Sequence, residues 1–317
     1  MAKLGSFFFS AIVAALVGLG GVTIVNNGEW KSLQEKQNHS PRFGFIDRDG
    51  HEVIPANFEF AFDFKEGLAA VKVNGQYGYI KPSGALVIPP GFDDAGPFCE
   101  GLAAVSINGS IGYIEPTGAF VVQPRFLRAG TFSEGMAPAS EGSEYGYIDR
   151  KGNWAIQPRF DQALPFSEGM AVMREGRQYG YIDLQGKVVI EPQFRRAAPF
   201  RNGKATVWRN DRWVYIDTKG AYLGDAASPE EGPVISAALM PVQTGDFWGF
   251  ADDSGRIVIP ARFERVRPFV DGRAAVRTNG EWGYIDEKGR FVVEPRYQRA
   301  FSISEGFARV LVSANPS

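Results

Sequence analysis

A short signature, Gly-Tyr-Ile-Asp or a close variant, places a glycine at Gly44, Gly78, Gly112, Gly146, Gly180, Gly249 and Gly283, with Val214 standing in once. The spacing is 34 residues throughout, apart from one step of 35. A period of that length marks tandem repeats, in which each unit buries its apolar faces only by stacking on its neighbours.

The unit reads as short strands joined by turns. A first strand, such as Leu68 to Val73, leads into a two-residue turn: Asn74-Gly75, Asn108-Gly109, Gly142-Ser143, Gly176-Arg177, Asn210-Asp211, Gly245-Asp246 or Asn279-Gly280. Each pair suits a type I′ or II′ turn, whose twist matches that of paired strands. This register sets Val71 opposite Gly78 and Ala69 opposite Ile80, so both faces of the hairpin are apolar or small and both need covering. The glycine is expected to leave room for a neighbour's ring. A bulky residue precedes it: Phe43, Tyr77, Ile111, Tyr145, Tyr179, Trp213, Trp248 and Trp282. An Asp-x-x-Gly turn follows, its carboxylate suited to bonding the turn's own amides. A third strand, as in Val188 to Ile190, is expected to stop at a proline that cannot donate to a ladder. A loop carrying two phenylalanines, such as Phe160 and Phe166, completes the unit.

The ends are complementary. Gly44 to Asp47 has no partner strand before it, and Gly306 to Val312 stops where the next signature would begin. Pairing these halves removes both exposed edges. The expected fold is therefore all-β: about eight 34-residue β-hairpin repeats over residues 42–317 in a closed, propeller-like ring. An open β-solenoid is the alternative, because 34 residues is short for a four-stranded blade. One unit breaks the pattern. Residues 221–238 lack the third strand and both phenylalanines, which marks either a decayed unit or a loop with its own task.

The Trp-Gly-Tyr-Ile-Asp and Gly-Leu-Ala-Ala-Val motifs resemble the WG-repeat (KWG) family, bacterial proteins built from short tandem β repeats. The resemblance spans about residues 42–312. It implies a repeat scaffold and brings no catalytic residues.

Residues 1–25 form a separate region. No charge interrupts Leu4 to Val25, which reads as a hydrophobic helix, either a cleaved signal peptide or an uncleaved membrane anchor of about 20 apolar residues. The single lysine before it predicts export to the cell envelope, with residues 26–41 as a tether. The net charge of −2 gives no general pull toward nucleic acid.

Two histidines and one cysteine argue against a zinc site or a histidine triad, and no phosphate loop is present. No cofactor is expected, nor an enzyme. Cys99 stands where other units have Ser133 and Ser167, as a near-isosteric replacement. The periodic polar feature is basic. Arg125, Arg159, Arg262 and Arg296 recur in Pro-Arg-Phe or a variant of it, with Arg128, Arg196, Arg265 and Arg299 further along. Such a row suits an anionic polymer such as envelope polysaccharide, or an acidic protein surface. Alternatively it forms a structural ladder with the periodic Glu100, Glu134, Glu168, Asp271 and Glu305. Trp213, Trp248 and Trp282 read first as core, and mark the place to seek a local site. The leading expectation is an exported, membrane-tethered scaffold for a protein partner, with carbohydrate or anionic-polymer binding as the first alternative and an enzyme of unknown type as the last.

Overall fold

The computed structural model describes residues 40–226, 239–252 and 254–313. The expected N-terminal helix falls outside these residues, and so does nearly all of the tether. Eight antiparallel sheets make an eight-bladed propeller, with blades 1 to 8 beginning at residues 60, 94, 128, 162, 196, 240, 265 and 299. Blade 8 closes the ring. Its strands Arg299–Ala300 and Phe307–Val312 come from one end of the chain, and Arg42–Asp47 and Glu52–Phe58 from the other. Arg42 pairs with Val312 and Asp47 with Phe307 over six residues in unbroken register. The closed ring therefore replaces the solenoid alternative.

Thirty-four residues suffice because the first strand of every four-stranded blade is only two residues long; blade 6 has three strands among the described residues, Met240–Thr244, Phe247–Ala251 and Ile257–Phe263. In blade 1 the strands are Phe60–Ala61, Ala69–Val73, Gln76–Ile80 and Leu86–Phe92. One residue, Asp93, then links Phe92 to the first strand of blade 2. That short strand lies in the segment expected to be only a loop between two phenylalanines. The predicted hairpin register holds, with Val71 opposite Gly78 and Ala69 opposite Ile80. The turn at Gly142-Ser143 differs. Strands Met136–Ser140 and Tyr145–Asp149 are joined by four residues, 141–144, in place of two.

The proline does not end its strand. Leu86–Phe92 runs through Pro89 and Pro90 by bulging: Tyr79 pairs with Ile88, yet Tyr77 pairs with Phe92. The bulged backbone lies over the signature glycine. A Cβ on Gly78 would stand 2.5 Å from the Ile88 carbonyl oxygen and 2.7 Å from the Pro90 nitrogen. The glycine thus makes room for its own blade's outer strand and not for a neighbour's ring. Val214 is accommodated because blade 5 ends in the short strand Tyr222–Asp225. There Val214 pairs with Asp225 and Tyr215 with Gly224, without that bulge. The missing glycine and the irregular segment after it have one cause.

The core lies between blades. Tyr79, Tyr113, Tyr147 and Tyr181 are fully buried, each against a phenylalanine of the next blade: Phe98, Phe132, Phe166 and Phe200, with centroids 4.7–5.0 Å apart. Burying such a ring is worth about 1.5–3 kcal/mol, and the aromatic pairing adds about 0.5–1.5. Each tyrosine hydroxyl also donates across the joint, as from Tyr79 to the Gly96 carbonyl at 2.8 Å.

Candidate interaction surface

Strands alternate in direction within a blade, so the propeller has two faces. One carries the turns between strands one and two and between strands three and four. The other carries the central hairpin turns and the links between blades.

On the first face, a carboxylate chain ties the blades together. Glu66, Glu100, Glu134, Glu168 and Glu305 all sit at positive φ, from 51° to 55°, in Glu-Gly turns. An L side chain rarely adopts this conformation. What the glutamate supplies is reach. Glu66 accepts from the amides of Glu100 and Gly101 in the next blade, at 2.7 and 2.8 Å. Glu305 serves Glu66 and Gly67 across the ring closure, at 2.7 and 2.9 Å. Glu100, Glu134 and Glu168 continue the series as far as Asn202 and Gly203. Such charge-assisted bonds offset the backbone strain. These glutamates are therefore not the partners of the arginine row, as the ladder reading expected. The closest ion pair they make is Glu100 with Arg150 at 3.8 Å.

The arginines tie blades by another route. The guanidinium groups of Arg125, Arg262 and Arg296 donate to the carbonyls of Gly152, Gly289 and Gly50 at 2.6, 2.5 and 3.1 Å, and Arg159 likewise donates to Gly186. Every acceptor closes an Asp-x-x-Gly turn in the following blade. Each guanidinium also lies over the aromatic ring that follows it in sequence, 4.7–5.1 Å from the centroid. Arg125 further pairs with Glu141 at 2.8 Å. The Asp carboxylates of those turns bond their own amides as expected: Asp149 accepts from Lys151 and Asn153 at 2.9 and 2.8 Å. Burial works to raise the Asp149 pKa, but these bonds outweigh it and hold the carboxyl below the usual aspartate range. Cys99 occupies the position from which Ser133, Ser167 and Ser304 donate to a carbonyl of the next blade. Burial pushes its thiol pKa up, so the reactive thiolate is disfavoured.

Trp213, Trp248 and Trp282 are half-buried, each in the strand that follows its blade's central turn. Repetition spreads them over blades 5, 6 and 7 in place of one pocket. Trp213 packs edge-on against Trp208 at 5.2 Å, and Arg267 lies over Trp282 at 5.5 Å.

Among the described residues the regular ties are lacking between blades 5 and 6. In every other Asp-x-x-Gly-type turn the glycine rests on a branched side chain of the preceding blade, as Gly220 does on Ile190 and Gly289 on Ile259. Gly255 has nothing within 4 Å. Among the described residues no glutamate bridge, tyrosine hydroxyl or arginine tie crosses this joint. Phe120, Trp154 and Phe291 are half-buried against Phe92, Phe126 and Phe263 of the blade before. The equivalent residue in blade 6, Ile257, is 49% exposed, and no phenylalanine occurs in residues 201–246 to cover it. Tyr222 and Leu223, on the last strand of blade 5, are 52% and 55% exposed. Leu223 holds the position at which Val53, Val87, Val121, Val189 and Val258 are also exposed, whereas Tyr222 and Ile257 stand where Phe120, Trp154 and Phe291 are half-buried, so this joint adds apolar surface on which a partner gains by docking.

One set of residues was not singled out in the sequence. The single link residue between blades is an acid in four places, and it caps its own blade's central turn. Glu59 accepts from Gly75 at 3.0 Å, Asp93 from Asn108 at 2.6 Å, Asp161 from Gly176 at 2.6 Å and Glu264 from Gly280 at 3.1 Å. The 15- or 16-residue spacing from acid to turn was the available signal.

Fold and surface together define a closed repeat scaffold whose periodic polar residues serve its joints. The WG containing repeat profile matches residues 43–77, 77–110, 111–144, 145–177, 179–213, 248–282 and 282–313, so the chain belongs to the WG-repeat family. The irregular unit falls between two matched segments. A search of curated protein sequences returned no match. Similar solved structures include a eukaryotic initiation factor, with 11% identity over 84% of this chain and 87% of that one and a TM-score of 0.47. Another is the dihydro-heme d1 dehydrogenase NirN in complex with DHE, with 11% identity, 77% and 66% coverage and a TM-score of 0.45. Hsv2p of Kluyveromyces lactis gives 9% identity, 71% and 91% coverage and a TM-score of 0.43. None of these carries an argument about ligand or activity here.

Proposed function

We propose that this protein is a non-enzymatic scaffold that binds a protein partner at the joint between blades 5 and 6. The observation behind this reading is the one joint at which, among the described residues, none of the three kinds of tie is found, and where Tyr222, Leu223 and Ile257 are exposed. Elsewhere the candidate polar residues are occupied. One nitrogen of each of Arg125, Arg159, Arg262 and Arg296 donates to a turn carbonyl, which weighs against an anionic polymer lying along that row. The uncharged run from Leu4 to Val25 supports an exported protein, membrane-tethered through its N-terminus, so the partner is sought in the cell envelope.

The test is capture by the full-length protein, with Leu223→Glu plus Ile257→Glu set against Val53→Glu plus Val87→Glu on regular blades. A partner identified by capture, then purified, should bind the wild type and the control pair but not the joint variant. Equal binding to all three proteins overturns the assignment of the joint.

A further inference from the structure

Blade 5 reverses the charge of a repeated position. Where blades 1, 2, 4 and 7 place Glu59, Asp93, Asp161 and Glu264 against the central turn, blade 5 has Arg195. Its turn keeps the same backbone form: Asn210 and Asp211 have φ of 52° and 58°, beside 51° and 79° for Asn74 and Gly75. Among the described residues no acceptor meets the Asn210 or Asp211 amide. The receptor that holds a carboxylate in four blades is thus formed here and lacks its own acid.

Arginines surround it. Arg209 and Arg212 face each other directly across the turn, a like-charge pair that disfavours the hairpin. Equivalent pairs elsewhere are Val73 with Gln76, Ile107 with Ser110, Glu175 with Gln178 and Thr278 with Glu281. Asp225 offsets Arg212 at 3.2 Å, and Asp211 meets Arg195 at 3.4 Å in a pair whose side chains are 85% and 78% exposed. Such a pair contributes little and yields readily to a competing acid. Arg196 and Arg209 are exposed and have no ion-pair or hydrogen-bond partner among the described residues. Arg196 stands in register with Trp208, and Trp208 with Trp213, so aromatic surface borders the cationic group. Arginine and tryptophan are the residue types that anchor protein interfaces.

We infer that the central turn of blade 5 is a docking site for an acidic segment of a partner polypeptide, one of whose carboxylates takes the place of the missing link acid. Arg195, Arg196 and Arg209 supply the countercharge, and the tryptophans border the chain that carries the acids. The inference rests on the scaffold reading and deepens it by naming the partner's chemistry.

The test uses the full chain and poly-L-glutamate, with binding followed by fluorescence anisotropy at low and physiological salt. Arg196→Glu with Arg209→Glu should weaken binding at least tenfold, whereas Arg265→Glu with Arg299→Glu on blades 7 and 8 should change it less than threefold. Arg195→Glu restores the link acid, so it should also weaken binding at least tenfold while raising the melting temperature. These side chains are exposed and removable without unfolding, which an unchanged melting temperature of the Arg196 and Arg209 variant verifies. Equal loss in both charge-reversal pairs overturns the site. Tighter binding of polygalacturonate than of polyglutamate, lost with the same substitutions, overturns the polypeptide assignment. If polyglutamate fails to bind while the Leu223 and Ile257 variant still loses its partner, the acid receptor falls and the scaffold reading stands.

Discussion

The glutamate chain around the ring can be tested at Glu66, where both carboxylate oxygens accept from the next blade's turn at 2.7 and 2.8 Å and the backbone sits at φ 52°. Replacement by alanine removes both bonds and keeps the strained conformation. Two charge-assisted bonds at an exposed site are worth about 1–2 kcal/mol in total after allowance for water. Replacement by glycine removes the same bonds but relieves a left-handed strain of about 1 kcal/mol. The alanine variant should therefore be less stable than the glycine variant by about that amount. In a domain of this size each kcal/mol moves the melting temperature by about 2–4 °C, so Glu66→Ala should melt about 3–6 °C low and Glu66→Gly within about 3 °C of wild type. Asp271 is the control. It occupies the same turn position at φ 49°, but no bond runs from its shorter side chain to Glu305 or Gly306. Asp271→Ala should shift the melting temperature by less than about 1 °C. Calorimetry of the four full-length proteins decides the matter. A Glu66→Ala loss no larger than that of Asp271→Ala would refute the idea that these carboxylates hold the blades together.

Three further outcomes are expected. Gly112→Ala should lower stability in urea titration by about 2–3 kcal/mol, because the new Cβ meets the Val122 carbonyl oxygen at 2.6 Å, whereas Val214→Gly should give no gain. Burial raises the pKa of Tyr79, Tyr113, Tyr147, Tyr181 and Tyr284 well above the ordinary value of 10, so each favours the folded state only while neutral. Stability should then be intact below about pH 10 and fall as pH rises beyond it, with the tyrosinate absorbance of these five at 295 nm appearing only on unfolding, after that of exposed tyrosines such as Tyr222. Finally, a C-terminal alkaline phosphatase fusion should be active, and deletion of residues 4–25 should abolish that activity; an inactive full-length fusion sinks the export reading.

What the sequence made legible was the period of the repeat and the pairing within one hairpin. The period, the register of Val71 with Gly78, the aspartate turns and the complementary end strands are local patterns or direct consequences of periodicity. Contacts between adjacent repeats were harder to read, because the same residue types recur in every unit. Glu66 to the Glu100 amide looks, in sequence, like one glutamate and its copy 34 residues on. The arginine row was visible, but its acceptors are backbone carbonyls, which leave no mark in the sequence. The bulge through Pro89 and Pro90 was misread because proline usually marks a strand's end, and here the strand bows around it. That error also misassigned the glycine beneath. Blade 5 was noticed only as an irregularity; its charge reversal at Arg195 becomes visible once Glu59, Asp93, Asp161 and Glu264 are known to cap their turns.

The composite blade sets the order in which the chain can mature as it is made. Arg42–Asp47 leaves the ribosome well ahead of its partner Phe307–Val312, with the other seven blades made in between. The entropy of closing so long a loop grows only slowly with length, so the finished ring loses little stability by it. The kinetic consequence is larger. Until that partner emerges, the early strand shows an open edge suited to pairing with a stranger, another nascent copy included. The nascent protein is thus open to misassembly until Phe307–Val312 emerges, and the pairing of that strand marks the moment at which the hazard ends.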